Sequence, residues 1–159
     1  MQITDMFRKQ YIIEDLKAKS KRAVLAELSE IFTRDHSGIQ NEAMVDVLLD
    51  REKLGSTGIG DGIAIPHGKL KGLDSLVISF GRSREGIDFD AIDGKPVHIF
   101  FLLMAPESST GQHLKALAKI SRMLKDQDFR SVLMSAKSVE DIYRTIAHDK
   151  LNAFLNTKK

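Results

Sequence analysis

The chain contains no cysteine. That excludes a disulfide framework, thiolate zinc and iron–sulfur sites, and a thiol nucleophile. Long apolar runs are also missing, since no stretch approaches the ~18 consecutive apolar residues of a membrane-spanning helix. The first residues, Met1-Gln2-Ile3-Thr4-Asp5-Met6-Phe7, lack the basic, apolar and small-residue order of a secretory signal. A cytoplasmic location without membrane insertion is the expectation. Neither sign of charge dominates: 24 Lys plus Arg against 22 Asp plus Glu leave +2. A dedicated nucleic-acid binder usually concentrates basic charge on one face, so nucleic acid is not expected as a partner. What is present, 42% hydrophobic and 29% charged residues in 159, is the composition of a globular chain able to bury an ordinary core. Without repeats or low-complexity segments, it reads as a single domain over 1–159, with a core of about 3–148 and a tail over 149–159.

Periodicity orders the elements. Tyr11-Ile12-Ile13 is a short strand candidate. Val24, Leu28, Ile31 and Phe32 recur at helical spacing between Lys21 and Arg34, and Ser20 is placed to cap that helix. After His36-Ser37-Gly38 a second helix runs from Asn41 to Lys53, with Met44, Val47 and Leu48 on one face. Ile63-Ala64-Ile65 reads as a strand ending at Pro66, which biases Ile65 towards an extended backbone. Leu76 to Phe80 and the very apolar Val97 to Leu103 are further strands, and Arg82 to Asp93 between them reads as polar and turn-rich. Helices follow over about 109–125, 128–136 and 138–148. The order β-α-α-β-β-β-α-α-α predicts an α/β three-layer sandwich, a small mixed sheet flanked by helices.

Six of the 11 glycines lie between Gly55 and Gly72. Such clustering suggests a loop whose shape is specified by its backbone. Gly58-Ile59-Gly60-Asp61-Gly62 has the look of a dinucleotide fingerprint, but it follows a helix and opens a strand, the reverse of the order that holds a pyrophosphate. No Gly-x-x-x-x-Gly-Lys-Ser/Thr loop marks ATP as a phosphoryl source, and no Gly-x-Ser-x-Gly elbow marks a serine hydrolase. No cofactor is expected.

The five histidines are the remaining pool of nucleophiles. His36 in a polar turn and His148 near a helix end read as ordinary surface. His98 interrupts a buried strand, where alternation groups it with Phe100 and Leu102 and suggests a hydrogen-bonded structural imidazole. His67 stands out: a glycine-rich approach, Pro66 before it and Gly68 after it leave an accessible imidazole. His113 falls in the first turn of an amphipathic helix whose Ser109 and Gln112 form a capping-box pattern, and Leu117, Ile120 and Leu124 share its face. A neutral His113 at that helix end could serve an anion, or it could be a core histidine bonded to backbone. Arg51 closes the second helix, where a cation complements the dipole, but its guanidinium could equally reach a phosphate or orient a histidine. His67 and His113 could supply two zinc ligands, yet neither the His-Glu-x-x-His spacing nor an evident third ligand accompanies them, so no metal is expected.

The run from Arg51 to Gly68, REKLGSTGIGDGIAIPHG, resembles the active-site signature of enzyme IIA domains of the fructose–mannitol class of the bacterial phosphotransferase system, and is closest to the nitrogen-regulatory branch. Ser109-x-x-x-His113-Leu114-x-x-Leu117 and Asp90 to Val97 are similar to further segments of that family, and the likeness spans roughly Ile3 to His148. The resemblance implies that His67 is phosphorylated on Nε2 by the phosphohistidine of a small HPr-like carrier protein. It also implies that His113 and Arg51 line the phosphoryl site. Two roles share this site: a regulator whose phosphorylation state controls binding to target proteins, and a sugar-import subunit passing the phosphoryl group to a fructose/mannitol-type permease complex. The regulatory role is the expectation, and homo-oligomerisation is left open.

Overall fold

The computed structural model describes residues 7–36 and 38–147. His148, the tail over 149–159 and the start of the chain lie outside the described residues. A 3-10 turn, Lys9–Tyr11, leads into β1 (Ile12–Ile13), followed by α1 (Lys21–Thr33) and α2 (Asn41–Glu52). Then come β2 (Gly58–Gly60), β3 (Ile63–Ala64), β4 (His67–Lys69), β5 (Val77–Ile87) and β6 (Val97–Ala105). Three helices close the chain: α3 (Thr110–Leu124), α4 (Gln127–Ser135) and α5 (Val139–Ala147). Ser20 caps α1 as expected, its hydroxyl accepting from Ala23 N at 3.2 Å. Among the described residues no helix is long and apolar enough to cross a membrane.

The strands form one mixed sheet in the order β1-β5-β6-β3-β2, with β4 also on β6. β5 and β6 are antiparallel, while β1 lies parallel to β5, and β3 and β4 lie parallel to β6. On β6, Ile99, Phe101, Leu103 and Ala105 pack towards α3, α4 and α5. Phe100, Leu102 and Met104 pack on the other side, with the α1 and α2 residues Val24, Leu28, Met44 and Leu48. A strand buried on both faces explains why its sequence is apolar at nearly every position rather than at alternate ones. The three-layer arrangement is the expected one.

The expected element order needs three corrections. The glycine-rich segment contributes two more strands, β2 and β4, because its backbone pairs locally with β3 and β6 without any apolar alternation to announce it. The segment from Arg82 to Ile87 is not a turn but the continuation of β5. Arg82 is fully buried there, and its guanidinium donates to the carbonyls of Glu14 (3.1 Å), Leu133 (2.9 Å) and Ala136 (2.7 Å). Finally, the alternation of β6 slips at His98. Arg82 pairs with Ile99 and Ile87 with Val97, so Ser83 to Gly86 bulge opposite His98 alone. Val97 therefore joins the Phe100 side of the core, and the His98 Nδ1 lies 2.9 Å from the Ser83 carbonyl, a structural contact of the kind expected for this imidazole.

Candidate active site

Pro66 builds the position of His67. β3 and β4 are two pieces of one path along β6, pairing Ala64 with Phe100 and His67 with Leu103. Between them the ladder loses one bond, because Pro66 has no N–H to donate, while its carbonyl still accepts from Leu103 N at 2.9 Å. The Ile65 N–H turns away to the Thr57 carbonyl at 3.0 Å. Its carbonyl is left to accept from the His67 ring, with Nδ1 at 2.8 Å.

Arg51 reaches the same ring from α2. Its Nε lies 3.3 Å from Nε2 of His67, and its Nη1 donates to the Gly55 carbonyl at 2.9 Å. A guanidinium only donates. The two contacts therefore specify one tautomer, with the proton on Nδ1 facing Ile65 and the lone pair on Nε2 facing Arg51. Gly68 sets how closely α2 can approach: a Cβ at Gly68 would lie 2.7 Å from Cγ1 of Val47, one helical turn before Arg51.

The segment after α2 is held by a residue that periodicity did not single out. Glu52 is buried, and its carboxylate accepts from the backbone N–H of Thr57 (3.2 Å), from the Thr57 hydroxyl and from Lys21 Nζ (3.1 Å). These bonds fold residues 53–56 back over the end of α2, where Arg51 emerges. A buried carboxylate is held in place only by such partners. The partner from the glycine-rich segment is five residues away and the lysine lies in another helix, so no helical spacing signals the cluster.

His113 comes from the first turn of α3, and its ring stands edge-on to His67, centroids 5.5 Å apart at 77°. It is 4% exposed, and its Nδ1 is buried without a hydrogen-bond partner. Burial, followed by the proximity of His67 and Lys69, lowers its pKa from 6.5 to about 4. The His67 pKa is also lowered, first by burial, with the Arg51 charge adding to it against the opposing Ile65 bond and Glu52 charge. Both imidazoles are thus neutral near pH 7. The expected capping box is corrected: Ser109 occupies the N-cap position, but its side chain makes no cap bond and its φ of −107° and ψ of 42° are not those of an extended cap.

The structure thus brings His67, His113 and Arg51 together: Arg51 and His67 line a cavity of about 290 Å³ whose lining includes Thr57, Ile59 and Leu117, and His113 adjoins it through its ring contact with His67. His36 stays apart, stacked on Phe32 with its Nδ1 at 3.1 Å from that residue's carbonyl. Among the described residues no three His, Asp or Glu side chains converge as a metal ion would require. Chemically, the cluster offers a neutral, oriented imidazole nitrogen beside a fixed cation and a helix N-terminus, a combination suited to accepting an electrophilic oxyanion-bearing group.

Residues 5–149 match the family model described as phosphoenolpyruvate-dependent sugar phosphotransferase system, EIIA 2. The chain is 44% identical over 147 residues to a nitrogen regulatory protein of Bradyrhizobium diazoefficiens, covering 92% of this chain and 95% of that one. It is 36% identical over 151 residues to a fructose-specific EIIABC component of Bacillus subtilis, covering 94% of this chain and 24% of that longer protein. Among solved structures, nitrogen regulatory protein IIA-Ntr from Neisseria meningitidis aligns with a TM-score of 0.85 at 36% identity, covering 91% of this chain and 98% of that one. IIA mannitol from Escherichia coli aligns at 0.71 with 24% identity over 87% and 96%, a likeness of fold.

Proposed function

Because the chain belongs to the EIIA 2 family of the phosphoenolpyruvate-dependent sugar phosphotransferase system, we propose that it is a phosphohistidine carrier in which His67 accepts the phosphoryl group. The observation that carries this reading is the paired contact on one ring: Nδ1 on the Ile65 carbonyl and Nε2 against Arg51. Attack by the Nε2 lone pair forms a new P–N bond as the P–N bond to the imidazole of a small HPr-like carrier breaks, the carrier nitrogen keeping the electron pair. Phosphoryl transfer proceeds through a loose transition state with charge on the peripheral oxygens, so the work of the protein is alignment and charge stabilisation. Arg51, released from Nε2 as the bond forms, turns its donors to those oxygens. The N–H groups at the start of α3 and a neutral His113 face the same charge. Transfer between two imidazoles needs no cofactor or metal.

The role of the phosphorylated protein is regulatory in this reading. The support is the 44% identity with the Bradyrhizobium nitrogen regulatory protein over nearly the full length of both chains. Phosphorylation places about −2 charge beside His67, where the exposed Leu114 adjoins His113, and so alters which protein surfaces can dock there. The likeness to the fructose-specific component of Bacillus subtilis favours a second reading, a sugar-import subunit feeding a permease complex. Incubation with phosphoenolpyruvate, the general phosphotransferase proteins and this chain should give an acid-labile, base-stable label that His67→Ala abolishes; label persisting in that variant overturns the assignment. A pull-down with unmodified and phosphorylated protein separates the two roles. Recovery of a sugar permease component, together with restored sugar phosphorylation in an extract lacking its own subunit, would select the second.

A further inference from the structure

His67 and His113 are one rung of a two-rung ladder between β4 and α3. Residues two apart on a strand share a face, so Lys69 stands beside His67. Residues three apart on a helix are neighbours, so Thr110 stands beside His113. The structure pairs them across the gap: the His67 ring meets the His113 ring, and Lys69 Nζ lies 2.5 Å from the Thr110 Oγ1. Thr110 is the first residue of α3, so the Lys69 ammonium is held at the positive end of a 15-residue helix.

That placement is electrostatically unfavourable in the resting protein. A helix N-terminus attracts anions and disfavours cations, and among the described residues Lys69 forms no ion pair. Ser109, the residue positioned to satisfy the first N–H groups with a side-chain oxygen, makes no such bond. His113, also at this end of the helix, leaves its buried Nδ1 unpartnered. The lysine ammonium and the uncapped helix end thus lie beside the His67–His113 pair, and the Arg51 guanidinium reaches the space at Nε2 of His67. The arrangement becomes favourable when a dianion occupies that space.

We propose that Lys69 is a further catalytic residue of the phosphoryl transfer, its ammonium moving from the Thr110 hydroxyl to a phosphoryl oxygen as the group arrives on His67. The inference rests on the phosphohistidine reading above. Arg51 and Lys69 then hold the phosphoryl group from two sides, and the freed Thr110 hydroxyl can donate to the same oxygens. Release of the Lys69–Thr110 bond also carries the phosphorylation state to the first turn of α3, beside exposed Leu114.

The test is transfer from phosphorylated carrier protein to wild type, Lys69→Met, Lys69→Arg and His67→Ala, with donor concentration varied. Lys69 is exposed, so both of its variants are expected to fold. Lys69→Met should lower kcat about tenfold with KM for the carrier changed less than about twofold, and Lys69→Arg should recover most of that loss. On phosphorylation, the amide NMR signals of Thr110 and Gly111 should shift in wild type, and most of that shift should vanish in Lys69→Met. An unchanged kcat, or a change in KM alone, overturns the proposal and assigns Lys69 to docking. Absence of label on His67 in the wild type overturns the underlying reading instead, whereas normal wild-type labelling with an equally fast Lys69→Met removes only the role of Lys69.

Discussion

Nε of Arg51 lies 3.3 Å from Nε2 of His67, a donor against the one lone pair that can act as nucleophile. The contact has two consequences in the resting protein. It keeps the proton on Nδ1, where the Ile65 carbonyl accepts it at 2.8 Å, and it places a permanent positive charge where phosphoryl oxygens would arrive. Arg51→Ala should therefore leave a folded protein whose phosphoryl acceptance is slower by about 10²-fold, the scale of losing one preorganised donor at a developing charge. Arg51→Lys should restore little, because a point charge cannot reproduce the fork. Rapid-quench labelling measures both, and wild-type rates in Arg51→Ala would remove the guanidinium from the mechanism.

The pH dependence follows from the direction of the His67 shift. Its pKa is lowered, chiefly by burial, so at any pH near or below 6.5 more of the neutral imidazole remains than for an exposed histidine. The rate of phosphoryl acceptance should fall to half its plateau at a pH below 6.5, and a midpoint at or above 6.5 would contradict the buried ring. In Arg51→Ala the His67 titration followed by NMR should move upward, because one of the influences that lower it is gone.

His113 links the site to stability. Its pKa is about 4 in the folded protein against 6.5 when free, so above pH 6.5 neither state is protonated and the group has no effect. As pH falls from 6.5 towards 4 the unfolded chain takes up a proton that the folded protein resists, and stability is lost over that window. The gap corresponds to on the order of 3 kcal/mol. His113→Gln should flatten the fall in denaturation midpoint between pH 6.5 and 4 while slowing phosphoryl transfer at pH 7.5. An unchanged acid profile would contradict the buried, neutral imidazole.

Gly68 is a spacing residue. A Cβ there would lie 2.7 Å from Val47 Cγ1, so Gly68→Ala forces Val47 to give way, and displacement of the α2 face that carries it would draw Arg51 from His67. Transfer should slow markedly with a smaller loss of stability. Val47→Ala in the same chain opens the space and should recover much of the rate, a coupling readable from a double-mutant cycle.

Arg82 tests the core rather than the site. Arg82→Met keeps much of the volume but leaves the carbonyls of Glu14, Leu133 and Ala136 without this donor, at about 1–3 kcal/mol for each that stays buried. Denaturant unfolding should show a loss of several kcal/mol, with labelling of His67 per folded molecule unchanged.

Much of this protein was legible in one dimension because the relevant forces act locally. The helical stripe of Val24, Leu28 and Phe32, the continuous apolar run of β6 and the break at Pro66 reflect periodicities and backbone limits carried by neighbouring residues. The glycine cluster and its proline likewise marked His67 before any contact was known. The layered α/β architecture and the choice of His67 as the candidate nucleophile were thus readable from the residue order alone. The tertiary structure decided what surrounds that histidine. Burial of Glu52 against Thr57 and Lys21, concealment of Arg82 inside an extended β5, the slip at His98 opposite a four-residue bulge and the Lys69–Thr110 contact all join distant segments or depend on strand register. A polar side chain looks the same in sequence whether it faces solvent or finds its only partners across the fold. Desolvation and the partners that offset it exist only once the chain is packed.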